Sequence, residues 1–111
     1  MNPEIFRSRL GTPGLCFNDT LAFIDAYYVY QPSAFANGDV SNTREQNQGS
    51  CKVLAMAIDL GLSDTQALQC FAEHYQAVLD DPQGESHGNI RALMNHGLIG
   101  VSFERPPLTR R

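Results

Sequence analysis

The segment 47–61, NQGSCKVLAMAIDLG, decides the fold because it contains the most continuously apolar run in the chain. Wound at about 3.6 residues per turn, its second half places apolar side chains on every side of a helix. Such a helix can only lie inside a protein. We therefore predict a buried central helix over residues 51–60, with Ser50 as its N-cap and Gly61 as the left-handed residue that closes its last turn.

Length and composition limit the class of protein. The 111 residues suffice for one domain that buries roughly two-thirds of its unfolded surface. A net charge of -4, with basic residues that are scattered along the chain, argues against a nucleic-acid partner or an anionic membrane surface. The longest apolar run is about half of what a bilayer span needs, so we expect no membrane partner. Three cysteines without CxxC spacing predict free thiols in a reducing cytoplasm.

Upstream of the central segment, two helices are predicted. Asn2 as cap and Pro3 at the first helical position start a short helix that should reach residue 10 and bury Ile5, Phe6 and Leu10. A second helix should begin at residue 18 or 19 and continue to about Tyr30. Phe17 would then pack against it from outside as a hydrophobic staple.

Downstream, local signals predict two more helices. Ser63 with Gln66 three residues later has the form of a capping box, which would open an amphipathic helix that reaches Leu79. A further helix from residue 89 to 96 should bury Ile90, Leu93 and Met94 on its apolar face and close at Gly97.

The remaining pattern predicts a small sheet. Asn37-Gly38 is the strongest short hairpin signal and indicates a hairpin over residues 34–41, followed by a polar surface loop over residues 42–48. Ile99, Val101 and Phe103 alternate with small or polar residues and predict a last strand that pairs with this hairpin. The fold class is thus α+β: a predominantly helical single domain over residues 1–111, with about five helices around the central one, a small antiparallel β-sheet and a frayed tail from residue 105.

Reactive groups are sparse. Cys51 sits beside Lys52 at a helix N-terminus, which would lower a thiol pKa, but a cysteine followed by apolar residues is more often an inert core residue. Cys70 and His74 form an i, i+4 pair, whereas a zinc site needs three or four ligands. We therefore predict no metal and no cofactor, and we leave catalytic residues unassigned.

Two charges of the central helix oppose its dipole. Lys52 lies near the positive end and Asp59 near the negative end, and each placement costs a few tenths of a kcal/mol. Long charged side chains are seldom buried without a partner. We expect each to pair with a charge from another element, and Asp25 is a candidate partner for Lys52.

The sequence also resembles a known family, the HopJ family of type III effectors, over about residues 17–103. The resemblance rests on the following residues in this order: Thr20-Leu21-Ala22-Phe23-Ile24-Asp25, Tyr28, Tyr30, Pro32, Phe35, Asn37-Gly38, Asn47, Gly49-Ser50-Cys51-Lys52, Cys70-Phe71, Tyr75, Pro82, Gly84, His87 and Asn89-Ile90-Arg91. It implies a small bacterial virulence factor without a settled enzymatic activity. It also implies synthesis in the bacterial cytoplasm and secretion into a host cell by type III secretion.

Two functional hypotheses follow. The first is a non-enzymatic interaction module that acts on a host or cellular protein partner. The second is a small enzyme or ligand-binding domain whose polar site lies at the N-terminus of the central helix. An acidic group is the expected occupant there, whether an internal carboxylate or a small anionic ligand. The candidate binding residues are Tyr28, Tyr30, Asn37, Asn47, Ser50, Lys52 and His87.

Overall fold

The structure is a computed structural model that describes all 111 residues. It contains six α-helices, one short 3-10 helix (Leu98–Gly100) and five three-residue strands, which confirms the α+β class. The elements in chain order are α1 Pro3–Arg9, α2 Phe17–Tyr27, β1 Tyr28–Tyr30, β2 Phe35–Asn37, β3 Val40–Asn42, α3 Gln48–Asp59, α4 Asp64–Gln69, α5 Glu73–Asp80, α6 Gly88–His96, β4 Val101–Phe103 and β5 Leu108–Arg110. None of the helices is both long and apolar enough to cross a bilayer.

Helix α3 is the centre of the core, as predicted. Cys51 and residues 53–57 are buried, and they pack among side chains from nearly every other element. The last turn differs from the prediction, because Ile58 is 44% exposed. The N-cap also differs: Asn47, in the left-handed conformation at φ 53° and ψ 44°, precedes the helix, so Ser50 is its third residue. Gly61 closes the helix with φ 66°, as expected.

The two N-terminal helices begin where backbone donors find acceptors. Asn2 caps α1 as predicted, with its side chain accepting from the backbone N–H of Ile5, but Ile5 itself is 48% exposed. Cys16 is the N-cap of α2, and the Asp19 carboxylate accepts its backbone N–H at 3.0 Å. Phe17 is therefore the first residue of α2 and not an external staple, which corrects the predicted start.

The predicted long helix after Ser63 is two helices. The capping box is confirmed, with Ser63 Oγ and Gln66 Oε1 each accepting the other residue's backbone N–H at 3.1 and 3.0 Å. The chain then breaks at Ala72, whose φ of 49° and ψ of -118° are incompatible with a helix. The buried Thr20 hydroxyl donates to the Cys70 carbonyl at 2.8 Å, so a contact with α2 stabilises the break. The new direction of α5 leaves Leu79 45% exposed.

The predicted hairpin and its partner strand are confirmed. Strands β3, β2 and β4 form an antiparallel sheet in that order, with Phe35 opposite Phe103 and a turn at Gly38. Two details were wrong. Ile99 belongs to the 3-10 helix and is 97% exposed, so it is not part of the strand. On α6, Met94 was predicted to be buried but is 44% exposed.

The expected frayed tail is a strand. Strand β5 pairs antiparallel with β1, Tyr28 lies opposite Arg110, and Arg110 Nε is 2.9 Å from Asp59 Oδ2. This pairing also ends α2 at Tyr27, three residues before the predicted end, because Tyr28–Tyr30 is extended. The loop prediction for residues 42–48 was wrong at both ends, since Asn42 is buried in β3 and Gln48 begins α3.

Candidate functional site

Three of the seven predicted binding residues line one cleft. Asn47, Ser50 and His87 meet where the N-termini of α3 and α6 approach each other, around a volume of about 230 Å³. We call this space the α3/α6 cleft. Its other lining residues, none of which was predicted as a site residue, are Phe17, Gly49, Phe71, His74, Gly88, Asn89 and Ile90.

Both helices enter the cleft through a residue in the left-handed conformation. Asn47 has φ 53° and His87 has φ 54°, and neither side chain caps the helix that follows it. The first-turn amides of α3 and α6 consequently lack a side-chain acceptor from the N-cap, and their partial positive charge adds to that of the helix dipoles. Two such helix ends at one cleft make its electrostatic potential favourable for a negatively charged group.

Two imidazoles and an aromatic ring form one side of the cleft. The ring centroids of His74 and His87 are 5.1 Å apart, and the Phe17 ring meets His74 edge-on at 4.8 Å. Next to them, Glu73 Oε1 accepts the backbone N–H of Phe17 at 2.6 Å. Hydrogen bonds from the backbone N–H groups of Glu73 itself and of Phe17 lower the pKa of the Glu73 carboxyl. These contacts fix α5 against the start of α2 and so position His74.

The cleft holds fewer potential metal ligands than a zinc site requires. His74 and His87 offer two ring nitrogens, whereas zinc sites use three or four protein ligands or three and a water. No group of three or more His, Cys, Asp or Glu side chains in the structure is arranged to hold a metal ion. Cys70, the possible sequence partner of His74, is buried, and burial raises the pKa of its thiol to about 12.

Asn37 lies behind the cleft, in a network of four asparagine side chains. Its Nδ2 donates to the Asn89 carbonyl at 2.8 Å, and Asn89 Nδ2 donates to Asn42 Oδ1 at 3.0 Å. Asn47 Nδ2 donates to the same Asn42 oxygen at 2.7 Å. The network joins the hairpin to the first residues of α3 and α6, and buried amides in such a network hold a fixed geometry. Asn37 is therefore a supporting residue of the cleft and does not line it.

Lys52, Tyr30 and Cys51 form a separate cluster. The Lys52 ammonium lies 4.9 Å from the Tyr30 ring centroid and 3.3 Å from Asp25 Oδ1, which confirms the predicted partner. The Tyr30 hydroxyl is buried without a hydrogen-bond partner. Burial, and then the adjacent Cys51, raise the pKa of Tyr30 to about 12. The internal carboxylate thus pairs with Lys52, and the α3/α6 cleft remains open.

The cysteine considered as a nucleophile is a core residue. Cys51 is 1% exposed, and its thiol points toward the Ser33 carbonyl at a sulfur to oxygen distance of 3.9 Å. Burial raises the pKa of Cys51 more than its polar neighbours Tyr30 and Ser33 lower it. A buried thiol with a raised pKa is a poor nucleophile.

Tyr28 lies at the opposite end of α3 from the cleft. Its hydroxyl donates to Asp59 Oδ2 at 2.6 Å, and burial followed by this carboxylate raises the pKa of Tyr28 to about 12. Asp59 also contacts Arg110, so both charges that oppose the α3 dipole have partners from other elements, as predicted.

Sequence reasoning missed His74 and Phe71 as cleft residues because their positions depend on the break at Ala72, and it missed Phe17 because that residue was predicted to lie outside α2. Helical spacing did not indicate the first two, because Phe71 and His74 lie on either side of the break and do not share a helix. Asn42 and Asn89 could have been suspected as polar residues next to apolar stretches.

Comparisons with known proteins agree with this structure. A family profile described as HopJ type III effector protein matches residues 4–108. Among solved structures, the crystal structure of the unknown function protein VPA0580 is similar, with a TM-score of 0.93 and 35% sequence identity; the match covers 100% of this chain and 95% of that chain. No match is found among curated proteins.

Proposed function

The chain belongs to the HopJ type III effector family, and on that premise we propose that it is a non-enzymatic interaction module whose α3/α6 cleft binds an acidic side chain of a host or cellular protein. One observation carries the proposal: Asn47, Ser50 and His87 converge with His74 between two helix N-termini. The partial positive charge of the two helix N-termini favours a negatively charged group.

The size and shape of the cleft support a side chain as occupant. A volume of about 230 Å³ is below the usual 300–1,000 Å³ of small-molecule pockets, and a carboxylate with its methylene stem needs less space than a cofactor. Phe17 and Phe71 offer an apolar wall for the stem, and the first-turn residues Ser50 and Gly88 line the same cleft.

A second candidate function, a small anionic ligand site or a small enzyme, is favoured by one further observation. The Ser50 residue and two imidazoles line the same cleft, and a hydroxyl beside a histidine is the minimal arrangement for nucleophilic catalysis. This alternative predicts that free phosphate or a small carboxylate binds as tightly as an acidic peptide does.

A charge placed at Ser50 tests the interaction proposal. Ser50→Asp fills the cleft with a carboxylate, and it should not destabilise the fold, because an acid at the third residue of a helix favours the dipole. Ser50→Asn is the uncharged control. The probes are an acidic peptide with two adjacent glutamates, acetate and phosphate, each titrated while amide NMR shifts of Gly49 and Gly88 are followed.

We expect the acidic peptide to shift these amides in the parent and in Ser50→Asn, and not in Ser50→Asp. Equal response of parent and Ser50→Asp would refute the cleft as the site. Saturation by phosphate without any response to the peptide would favour the small-ligand alternative.

Delivery is a separate part of the proposal, since membership of the effector family implies type III secretion. We propose that the protein is made in the bacterial cytoplasm and exported into a host cell. A C-terminal translocation reporter should give a host-cell signal only in bacteria with a functional type III apparatus. The same signal from bacteria without the apparatus, or no signal from either strain, would contradict delivery.

A further inference from the structure

Strand β4 has one free edge. It lies at the end of the order β3-β2-β4, so no strand covers its outer side. Glu104 N–H donates to the Ala34 carbonyl at 2.9 Å and Gly38 N–H donates to the Gly100 carbonyl at 3.0 Å, which fixes the alternation of backbone groups along the strand. In an antiparallel pair, every second residue bonds to the partner strand, and the residues that alternate with them direct their backbone N–H and C=O groups to the outer side. Those residues are Val101 and Phe103. The Val101 N–H is already bonded to the Leu98 carbonyl, so the open groups are the Phe103 N–H and the carbonyls of both residues.

The edge has one of the usual protections, because β4 is only three residues long, but it lacks the others within the strand. Native edge strands are blocked by charged residues, prolines, bulges or a covering element. The three residues of β4 are Val101, Ser102 and Phe103, which are all uncharged. Strand β5, in contrast, contains Arg110 and follows two prolines. The edge strands β1 and β3 are also uncharged, but β4 is the one whose three residues all line a groove against the core helix.

A groove runs along this strand. Residues 101–108 form one wall, and the second half of α3 forms the other through Ala55, Ile58 and Asp59, around a volume of about 490 Å³. We call it the β4 groove. Ile58 is 44% exposed although it belongs to the otherwise buried core helix. An apolar side chain left exposed on a core helix, beside unpaired strand groups, is what an added strand would cover.

We propose that the β4 groove binds an extended segment of another protein, which adds antiparallel or parallel to β4 as a fourth strand. The segment would place two apolar side chains, two residues apart, on Ile58 and its neighbours, because alternate residues of a strand share a face. The inference rests on the proposed function as an interaction module, but it uses a surface separate from the α3/α6 cleft.

Charge at the end of the groove specifies the segment further. Glu104 and Arg105 follow β4 directly and line the groove, and neither takes part in any of the ion pairs of the structure. A complementary segment has a basic residue opposite Glu104 and an acidic residue opposite Arg105. A second copy of this chain is a poorer occupant, because pairing the same groove on both copies would set one concave surface against another.

The test uses octapeptides selected from a random phage-displayed library against the full chain. The strongest peptide is synthesised, and its affinity is measured by fluorescence anisotropy for the parent, Ile58→Glu and Met94→Glu. Met94 is the matched control, because it has the same 44% exposure as Ile58 and lies outside the groove. We expect Ile58→Glu to weaken binding by about tenfold or more and Met94→Glu to leave it unchanged.

Backbone pairing is tested on the peptide. Two versions carry N-methyl groups on alternate residues, in one parity or the other. Strand addition uses the N–H groups of one parity only, so one version should lose binding by about tenfold or more and the other should retain it. Equal effects of the two parities, equal binding to Ile58→Glu, or no peptide selected at all would overturn the proposal.

The cleft variant separates this inference from the proposed function. The selected peptide should bind Ser50→Asp as it binds the parent, because Ser50 lines the α3/α6 cleft and not the groove. If Ser50→Asp abolishes binding, the peptide occupies the cleft and the groove proposal fails, while the interaction proposal stands.

Discussion

The hydroxyl of Tyr28 donates a 2.6 Å hydrogen bond to Asp59 Oδ2, which joins β1 to the C-terminal end of the central helix. Arg110 of β5 contacts the same oxygen at 2.9 Å. One carboxylate thus connects the core helix to both strands of the two-stranded sheet, although its negative charge opposes the helix dipole. The sheet is too small to be stable alone, so this contact helps to hold the C-terminal segment in place.

The first prediction concerns pH. Burial would raise the pKa of Asp59, but the hydrogen bonds from Tyr28 and Arg110 outweigh it and lower the pKa below its ordinary value of 3.8. A lowered folded-state pKa contributes stability above pH 3.8 that is lost as pH falls through the folded value. Asp59→Asn should therefore be less stable than the parent by about 0.5–1 kcal/mol at pH 7, the scale of a partly exposed ion pair.

The difference between parent and Asp59→Asn should shrink as the pH falls below 3.8, in urea unfolding curves measured from pH 7 to pH 2. Glu85→Gln is the control, because Glu85 is exposed and forms no ion pair in the structure, so its variant should match the parent throughout. A constant difference between parent and Asp59→Asn at all pH values would contradict the assigned cause.

The second prediction concerns the asparagine network behind the cleft. Asn89→Ala removes the Oδ1 acceptor of Asn37 Nδ2 and Asn42 Nδ2 and the Nδ2 donor to Asn42 Oδ1, so three buried hydrogen bonds are lost, although Asn37 and Asn42 keep their backbone acceptors. We expect a loss of about 1–3 kcal/mol in the free energy of unfolding. Asn95→Ala on the same helix is the control, since Asn95 is exposed and should change stability by less than about 0.5 kcal/mol. Equal stability of the two variants would show that the network contributes nothing.

Short sequence patterns predicted those parts of the fold that are determined by residues close together in the chain. The Asn37-Gly38 turn and the Ser63–Gln66 capping box each follow from the side chains within four residues, and both are confirmed. The pairing of β1 with β5 joins residues some 80 positions apart, so no short pattern announces it. The prediction of a frayed tail failed for this reason.

The candidate site shows the same division. Asn47 and Ser50 were predicted because they adjoin the start of the central helix, and both line the cleft. His74 was missed because its direction depends on the break at Ala72, which is stabilised by a long-range hydrogen bond from Thr20. Lys52 was included because of its charge, but its position in the helix directs it to Asp25 instead.

The third prediction uses the three cysteines as internal comparators. Cys16 is exposed, whereas Cys51 and Cys70 are buried and burial raises the pKa of both thiols. Iodoacetamide should therefore modify one cysteine per folded chain, and peptide mass spectrometry should identify it as Cys16. All three should react in urea. Rapid labelling of Cys51 in the folded protein would revive the enzyme hypothesis.

The fourth prediction concerns Lys52. Its side chain is 21% exposed and that of its partner Asp25 is 62% exposed, so water screens the carboxylate side of the pair. Lys52→Ala should cost about 1 kcal/mol in the free energy of unfolding, the sum of a weak ion pair and a cation–π contact with Tyr30. Lys52→Met, which keeps the packing of the stem, should cost less. A loss above about 3 kcal/mol would indicate that the pair behaves as a buried one.

The last prediction concerns backbone strain at Ala72, where φ is 49° and ψ is -118°. This conformation is one that glycine adopts readily, and it costs a residue with a Cβ about 1–3 kcal/mol. Glycine loses about 0.5–1 kcal/mol through the greater freedom of the unfolded chain. Ala72→Gly should therefore stabilise the fold by about 1 kcal/mol and raise Tm by roughly 4 °C.

The same substitution five residues later should have the opposite sign. Ala77 is exposed in the middle of α5, where Ala77→Gly exposes backbone and should destabilise by about 1 kcal/mol. Calorimetric melting of both variants checks the pair. Destabilisation by Ala72→Gly as well would mean that the break between α4 and α5 is not strained. The direction of α5, and with it the place of His74 in the cleft, would then follow from packing alone.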